Sequence, residues 1–219
     1  MTTAMLPQPA QRLVLSGIDW PTYKAMSDLL AERNVRLTYD RGELEFMTLS
    51  PEHAHAKKLL ARLVEALTEE LDIDIASFGS MTCRREDLAR GFEPDECYWI
   101  AHEPQVRGRT SIDLDVDPPP DLALEIEITR NIIDRLPLCA ALRVPEVWRW
   151  DGVQLRVLLL GPDGQYAAAE RSAAFPFLPL AEFAGFLTTT DTRSETKLVR
   201  AFRAWVQAHA QEWRGTTGQ

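Results

Sequence analysis

Two carboxylates two residues apart, in a segment that otherwise alternates between aliphatic and small residues, are the first chemistry this sequence offers. The run is Asp121-Leu122-Ala123-Leu124-Glu125-Ile126-Glu127-Ile128-Thr129. As a strand it turns Leu122, Leu124, Ile126 and Ile128 to one face, and Ala123, Glu125, Glu127 and Thr129 to the other. Same-face neighbours lie roughly 7 Å apart along a strand, so both carboxylates can converge on one cation. Burying two like charges without a counter-charge is costly, and a divalent metal would supply one. The same alternation also describes a half-exposed antiparallel strand whose polar face holds two glutamates.

A third acid lies thirty positions upstream of Glu125, in Gly91-Phe92-Glu93-Pro94-Asp95-Glu96-Cys97-Tyr98-Trp99-Ile100. Pro94 fixes the backbone and holds Asp95 at the mouth of a strand. An Asp at a strand start with an acidic pair on a second strand suits a hard cation, which takes oxygen ligands and leaves positions for water. A turn acid before a strand is the alternative use of Pro-Asp.

The elements that must position these acids read as a mixed α/β domain. Residues 1–11 form a loose arm, and a single domain spans 12–213, beginning with a strand at Arg12-Leu13-Val14-Leu15. Asp19 caps a helix from Trp20 to Arg33, with Pro21 in its first turn. Val35–Tyr39 and Leu44–Leu49 pair as a hairpin through Asp40-Arg41-Gly42. Ser50-Pro51-Glu52 opens a long helix to about Leu71, striped by Leu60, Leu63, Val64, Leu67 and Leu71. Short strands follow around Ile73–Ala76 and Ser80–Arg84, and the acidic strand is read as Leu122–Thr129. Asp134 caps a short helix that carries Pro137 in its first turn. Pro145–Trp150 and Val153–Leu160 form a second hairpin at Asp151-Gly152. Thr192 and Glu195 have capping-box spacing ahead of a last helix striped by Val199, Phe202, Val206 and Trp213.

Four segments taken in order carry a resemblance: Gly91 to Tyr98, Pro120 to Thr129, Asp134-Arg135-Leu136-Pro137, and Val144-Pro145-Glu146-Val147-Trp148-Arg149. Together they resemble the Uma2 family, over a stretch from about Tyr39 to Leu160. The likeness implies a restriction endonuclease-like core of the PD-(D/E)XK superfamily, a central mixed sheet flanked by helices, acting on DNA with Mg²⁺ or Mn²⁺. It also implies that Asp95 and Glu125 are the metal-binding acids, with Glu127 where the superfamily signature has a lysine. The family's lysine matches Arg135 here. Lysine can lose its proton and activate water, whereas arginine stays protonated and only stabilises charge. Cys139 stands where tyrosine is usual, and Arg143 replaces a helix-ending glycine. A left-handed arginine costs about 1 kcal/mol, so a different end to that helix is expected. At the start of the long helix, Glu52, His53 and His55 lie where the superfamily often adds an acid, and Glu52 joins the expected metal set. His53 and His55 point to different sides of a helix, which disfavours a joint metal site.

Charge limits what binding can be. The 219 residues carry a net charge of -9, which opposes tight non-specific nucleic-acid binding and makes any DNA contact local. Arg84 and Arg85 before the Pro-Asp step, with Arg90, Arg107 and Arg109 around it, can form an arginine rim for phosphates. They can equally pair with Glu86, Asp87 and Glu103 as solvated loop charges. Cys83, Cys97 and Cys139 lack C-x-x-C spacing and read as buried thiols. No apolar run approaches the ~20 residues of a membrane helix, and a cytoplasmic protein is expected. No G-x-S-x-G elbow or P-loop is present. Two functions stay open: metal-dependent phosphodiester hydrolysis, with DNA as substrate and either a monomer or a homodimer as the active form, and a nuclease-fold protein with weakened catalysis that serves as a binding or assembly module.

Overall fold

The computed structural model describes residues 11–31, 33, 35–79, 81–128, 131–188 and 194–216. The first half contains β1 (Arg12–Leu15), α1 (Trp20–Leu30), β2 (Val35–Asp40), β3 (Glu43–Thr48) and α2 (Pro51–Leu71). Short strands β4 (Ala76–Ser77), β5 (Cys83–Arg85), β6 (Arg90–Phe92) and β7 (Glu96–Trp99) follow, and then α3 (Glu103–Val106). The second half holds β8 (Leu122–Ile126), α4 (Leu136–Ala141), β9 (Glu146–Trp150), β10 (Leu155–Leu160), β11 (Tyr166–Ala169), α5 (Leu180–Thr188) and α6 (Glu195–Thr216).

The strands divide between two sheets. A six-stranded sheet runs β11-β10-β9-β8-β7-β4, and a five-stranded sheet runs β1-β3-β2-β6-β5. Only the β8–β9 pair is parallel among the described strands; α4 makes the crossover that a parallel pair requires. The fold is thus mixed α+β with a mixed sheet flanked by helices, as expected, while the early hairpin belongs to a second, antiparallel sheet.

The acidic strand is shorter than its alternation suggests. β8 ends at Ile126, although the Glu127 N–H still donates to the Trp150 carbonyl at 2.7 Å; Thr129 lies outside the described residues. One face of β8 presents Leu122, Leu124 and Ile126 to the core built with Leu60, Leu63 and Leu67 of α2 and Phe202 of α6. The opposite face is buried too. Ala123 packs there with Leu138 and Cys139 of α4 and with Cys83 and Phe92 of the smaller sheet. A half-exposed strand is therefore excluded, because the second sheet and α4 cover the side that carries Glu125.

Local signals explain most helix ends. Ser50 caps α2 through the His53 N–H, and Asp19 caps α1 through the Thr22 N–H, with α1 stopping at Leu30 rather than Arg33. Asp134 Oδ1 accepts the Leu136 N–H at the entry to α4. At the other end of α4 the expectation of a different stop is wrong. Arg143 adopts φ 59°, and its N–H and that of Val144 reach the carbonyls of Ala140 and Cys139. The helix keeps the left-handed ending and bears its cost, because these carbonyls would otherwise lack partners. Ser194 Oγ accepts the Lys197 N–H at α6, a role expected of Thr192, which lies outside the described residues. The strands expected at Ile73–Ala76 and Ser80–Arg84 occur as β4 and β5, each shifted toward the C-terminus; β6, β11, α3 and α5 were not signalled by periodicity.

Candidate active site

β7 and β8 are antiparallel neighbours, and their register, Glu96 opposite Leu124, sets Asp95 beside Glu125 at one end of the larger sheet. Asp95 is held on both sides. Its N–H donates to the Leu124 carbonyl, and its Oδ2 accepts the Ile126 N–H at 2.7 Å. The side chain thereby completes the ladder where the strand pair ends. Its Oδ1 lies 2.6 Å from His53 Nε2 and 3.4 Å from an Arg36 guanidinium nitrogen. Arg36, from β2, also donates to the carbonyls of Pro94 and Glu93, so the smaller sheet clamps the Pro-Asp step.

Glu125 is almost fully buried, and its Oε2 accepts from Arg135 at 2.8 Å. Its Oε1 is buried without a hydrogen-bond partner, and so is Arg135 Nε. Arg135 enters α4 from the segment 131–133, which Glu45 of β3 anchors by accepting the Ile132 and Ile133 N–H groups. Arg36, Thr38 and Glu45 share the face of the smaller sheet that looks toward these acids: β2 and β3 pair Thr38 with Glu45, and all three are buried. The opposite face, with Leu37, Tyr39 and Leu44, packs on Tyr23 of α1.

The two acids respond to burial in opposite directions. Burial raises the proton affinity of Asp95, but the His53 hydrogen bond and the Arg36 and Arg135 charges outweigh it and hold the carboxyl at about 2. For Glu125, burial and the neighbouring Asp95 charge prevail over Arg135, so its carboxyl lies above the usual range. Burial opposes the Arg135 charge, yet Glu125 and Asp95 hold it firmly protonated. Arg36 and Arg135 supply the counter-charge that the sequence alone suggested a metal must provide.

The remaining expected site residues fall at varying distances from this pair. Glu127 lies beyond the end of β8, 3.1 Å from Arg149 NH1. Glu52 is exposed in the first turn of α2; the inward residue of that turn is His53, one position on. His55 is exposed and 3.4 Å from Glu195. Arg84 pairs with Asp28, and Arg85 with Asp87 and Asp115, beside a cleft of about 360 Å³ that Lys24, Glu86 and Asp113 also line. Arg107 pairs with Glu103 and Arg109 with Asp117. These arginines thus have carboxylate partners, as the solvated-loop alternative anticipated. Cys83, Cys97 and Cys139 are buried free thiols.

Sequence reasoning missed Arg36, Glu45 and Arg149 as members of this centre. Each is a charged residue alternating with apolar ones in a short strand, the same signal that singled out Glu125, but solvent exposure explains such a pattern equally well.

The match of a family model now joins this geometry. Residues 20–191 match Uma2, described as "Putative restriction endonuclease". The chain belongs to the Uma2 family. No curated protein matches it. In this Uma2 protein the donor set can be tested against a cation. Among the described residues no group of three or more His, Cys, Asp or Glu side chains is placed to hold a metal ion. Two carboxylates, Asp95 and Glu125, with the buried and unpartnered Glu125 Oε1, are oxygen donors of the kind a hard cation takes, although both are closed off from solvent here, so that a hydrated ion would enter only with a local opening. They do not fit a structural zinc site, which needs four donors of the Cys and His type.

Proposed function

We propose that this Uma2 protein hydrolyses phosphodiester bonds in DNA with the help of Mg²⁺ or Mn²⁺. The observation that carries this reading is the pairing of Asp95 with Glu125 at one strand end, with one carboxylate oxygen left buried and unpartnered. Asp95 and Glu125 would hold the cation, which when bound supplies an activated water and neutralises charge on the phosphate. His53 and Arg36 fix the rotamer of Asp95, so that the carboxylate does not have to be ordered at the moment of binding. Arg135 stays protonated and holds charge at the phosphate; it takes no proton from water. That leaves hydrolysis slow compared with a lysine at this position, and Arg135→Lys is expected to accelerate it. Glu127 is part of this reading as a further acid on the Glu125 side of the strand, while Glu52 would need to reorient to contribute. Arg84 and Arg85 contact DNA only if phosphates replace their present carboxylate partners.

The second reading, a nuclease-fold binding module without hydrolysis, is favoured by one observation: Arg36 and Arg135 already neutralise the two acids in a buried setting. Incubation with single- and double-stranded DNA in Mg²⁺ or Mn²⁺ separates the two. Cleavage by the parent that disappears in Glu125→Ala supports hydrolysis at this centre. Cleavage that survives the substitution removes the site assignment, and binding without cleavage in either metal supports the module.

A further inference from the structure

The Asp95, Glu125 and Arg135 side chains are sealed, with side-chain exposures of 0–3%. Access changes at the next strand. β9 runs parallel to β8 with Arg149 in register with Glu125, and Arg149 and Glu127 are 17% and 20% exposed. This ion pair is therefore the solvent-facing margin of the buried centre. The second partner of Arg149, Asp134, is exposed and lies 3.3 Å from NH2. Asp134 also lines a cleft of about 450 Å³ with Arg90, Pro137 and Tyr166.

The guanidinium is loosely engaged for so crowded a place. Charge-assisted N–H···O contacts close to roughly 2.7–2.9 Å when geometry is favourable, and both contacts of Arg149 are longer, at 3.1 and 3.3 Å. Its Nε is buried without a partner, as is Arg135 Nε nearby. Both charges lie close enough to Cys139 to oppose in part the rise in its proton affinity that burial and Glu125 produce, although the thiol still stays well above its ordinary value. Two carboxylates from separate elements thus occupy the outer nitrogens of an arginine that retains an unused inward donor. A planar guanidinium presents paired donors to the oxygens of a phosphate as it does to a carboxylate.

We propose that Arg149 is the phosphate-recognising residue at the mouth of the Asp95–Glu125 centre, and that Glu127 and Asp134 are carboxylate place-holders displaced by a phosphodiester of the nucleic-acid strand. The proposal rests on the nuclease reading for the identity of the anion. It accounts for the position of Glu127, which continues the strand face of Glu125 yet turns to Arg149. It also gives a strongly acidic protein a local way to admit a polyanion: binding exchanges one anion for another at an existing cation and adds no new basic surface.

The test is binding of a fluorescein-labelled DNA duplex, followed by anisotropy in EDTA at low salt, for the parent, Glu127→Gln, Arg149→Ala and the double variant. Melting temperatures establish that each variant is folded, and Arg149→Gln, which keeps a long polar side chain but removes the charge, replaces Arg149→Ala if the latter does not fold. Glu127→Gln should tighten binding about fivefold by releasing Arg149, and Arg149→Ala should weaken it about tenfold. In the Arg149→Ala background, Glu127→Gln should have no effect. Loss of one phosphate contact should also reduce the slope of log affinity against log salt by ~0.9. Equal tightening by Glu127→Gln with and without Arg149 would reveal a general charge effect and overturn the proposal, as would an unchanged salt slope in the Arg149 variant. A parent that neither binds nor cuts DNA overturns both this proposal and the nuclease reading. A parent that cuts DNA without coupling between residues 127 and 149 overturns this proposal alone.

Discussion

The parallel pair β8–β9 has an acid from each neighbouring segment at either end, and the two ends are finished differently. At the entry to the strands, Asp121 accepts the N–H groups of Ile100 and His102 and lies 2.6 Å from His102 Nδ1. Glu146 accepts from Trp148 Nε1 at 2.5 Å and from the N–H groups of Ala173 and Ala174, both at 2.8 Å. Every carboxylate oxygen there has a partner. At the exit, Asp95 is fully engaged, but Glu125 Oε1, Arg135 Nε and Arg149 Nε are buried without one. Burial and acidity are common to both ends, so neither identifies a functional site. What separates them is spare bonding capacity, which costs stability and is retained where a ligand could use it. The exit is also the carboxyl end of the parallel strands, where open α/β sheets place their ligands.

The largest expected effect comes from removing the cation at the exit. Arg135→Met leaves Glu125 and Asp95 buried beside one fewer counter-charge, and should cost about 3–5 kcal/mol in urea unfolding at pH 7. Its stability should improve on mild acidification, as Glu125 becomes neutral. An effect below ~1 kcal/mol would mean that solvent reaches the cluster.

Glu146→Ala tests the closed end. It strands the indole N–H of Trp148 and two backbone N–H groups, for an expected loss of about 3 kcal/mol. DNA binding by the folded fraction should be unchanged; impaired binding would show that the two ends are not separable.

The adjacent acids at the exit should then oppose each other in pH dependence. Asp95 is depressed to about 2 in the folded protein, so its contribution is present above the unfolded value of ~4 and is lost as pH falls toward 2. That contribution is on the order of 2 kcal/mol, and Asp95→Asn should abolish it along with much of the acid limb of the stability profile. Glu125 is raised, so its contribution is present below the ordinary carboxylate value and is lost as pH rises through the folded one. Glu125→Gln should therefore stabilise the metal-free protein at pH 7 and remove the stabilisation that Mg²⁺ or Mn²⁺ gives the parent. Melting curves from pH 3 to 8, with and without the divalent ion, check both. Equal metal shifts in parent and Glu125→Gln would dissociate the ion from this acid.

The smallest change lies beside the centre. Arg143→Gly relieves a left-handed arginine at the end of α4 and should add up to about 1 kcal/mol without altering DNA binding. A change in binding would indicate that α4 transmits strain to Arg135.

The legible parts of the molecule are those with a local physical cause. Ser50-Pro51 and Asp19 mark helix starts because a side-chain oxygen satisfies an N–H three residues on. Asp151-Gly152 marks a hairpin because Gly152 must take φ 94°. β6 and β11 escaped because Arg90-Gly91-Phe92 and Tyr166-Ala167-Ala168-Ala169 carry no alternation of large apolar and polar residues, and they exist through pairing with β2, β5 and β10. The acids Asp95 and Glu125 were legible from a Pro-Asp step and a two-residue period, and family resemblance joined them across the intervening segment. Glu127 shows the limit of that logic: its strand face was readable, but the partner waiting on that face was not.

By itself the sequence determined the pair of acids, the strands that carry them, the absence of a lysine between Leu59 and Thr196, and membership of a nuclease-like family. Tertiary structure decided what neutralises those acids. Arg36 arrives from β2, His53 from α2, Arg135 from the entry to α4 and Arg149 from β9, and the distance between them in sequence leaves no local trace. A strand's period fixes which face a charge occupies, because it is set by the backbone of that strand alone. Whether the charge meets a cation, a metal or water depends on which other surface is folded against that face, and the second sheet and α4 answer that only once the core has closed.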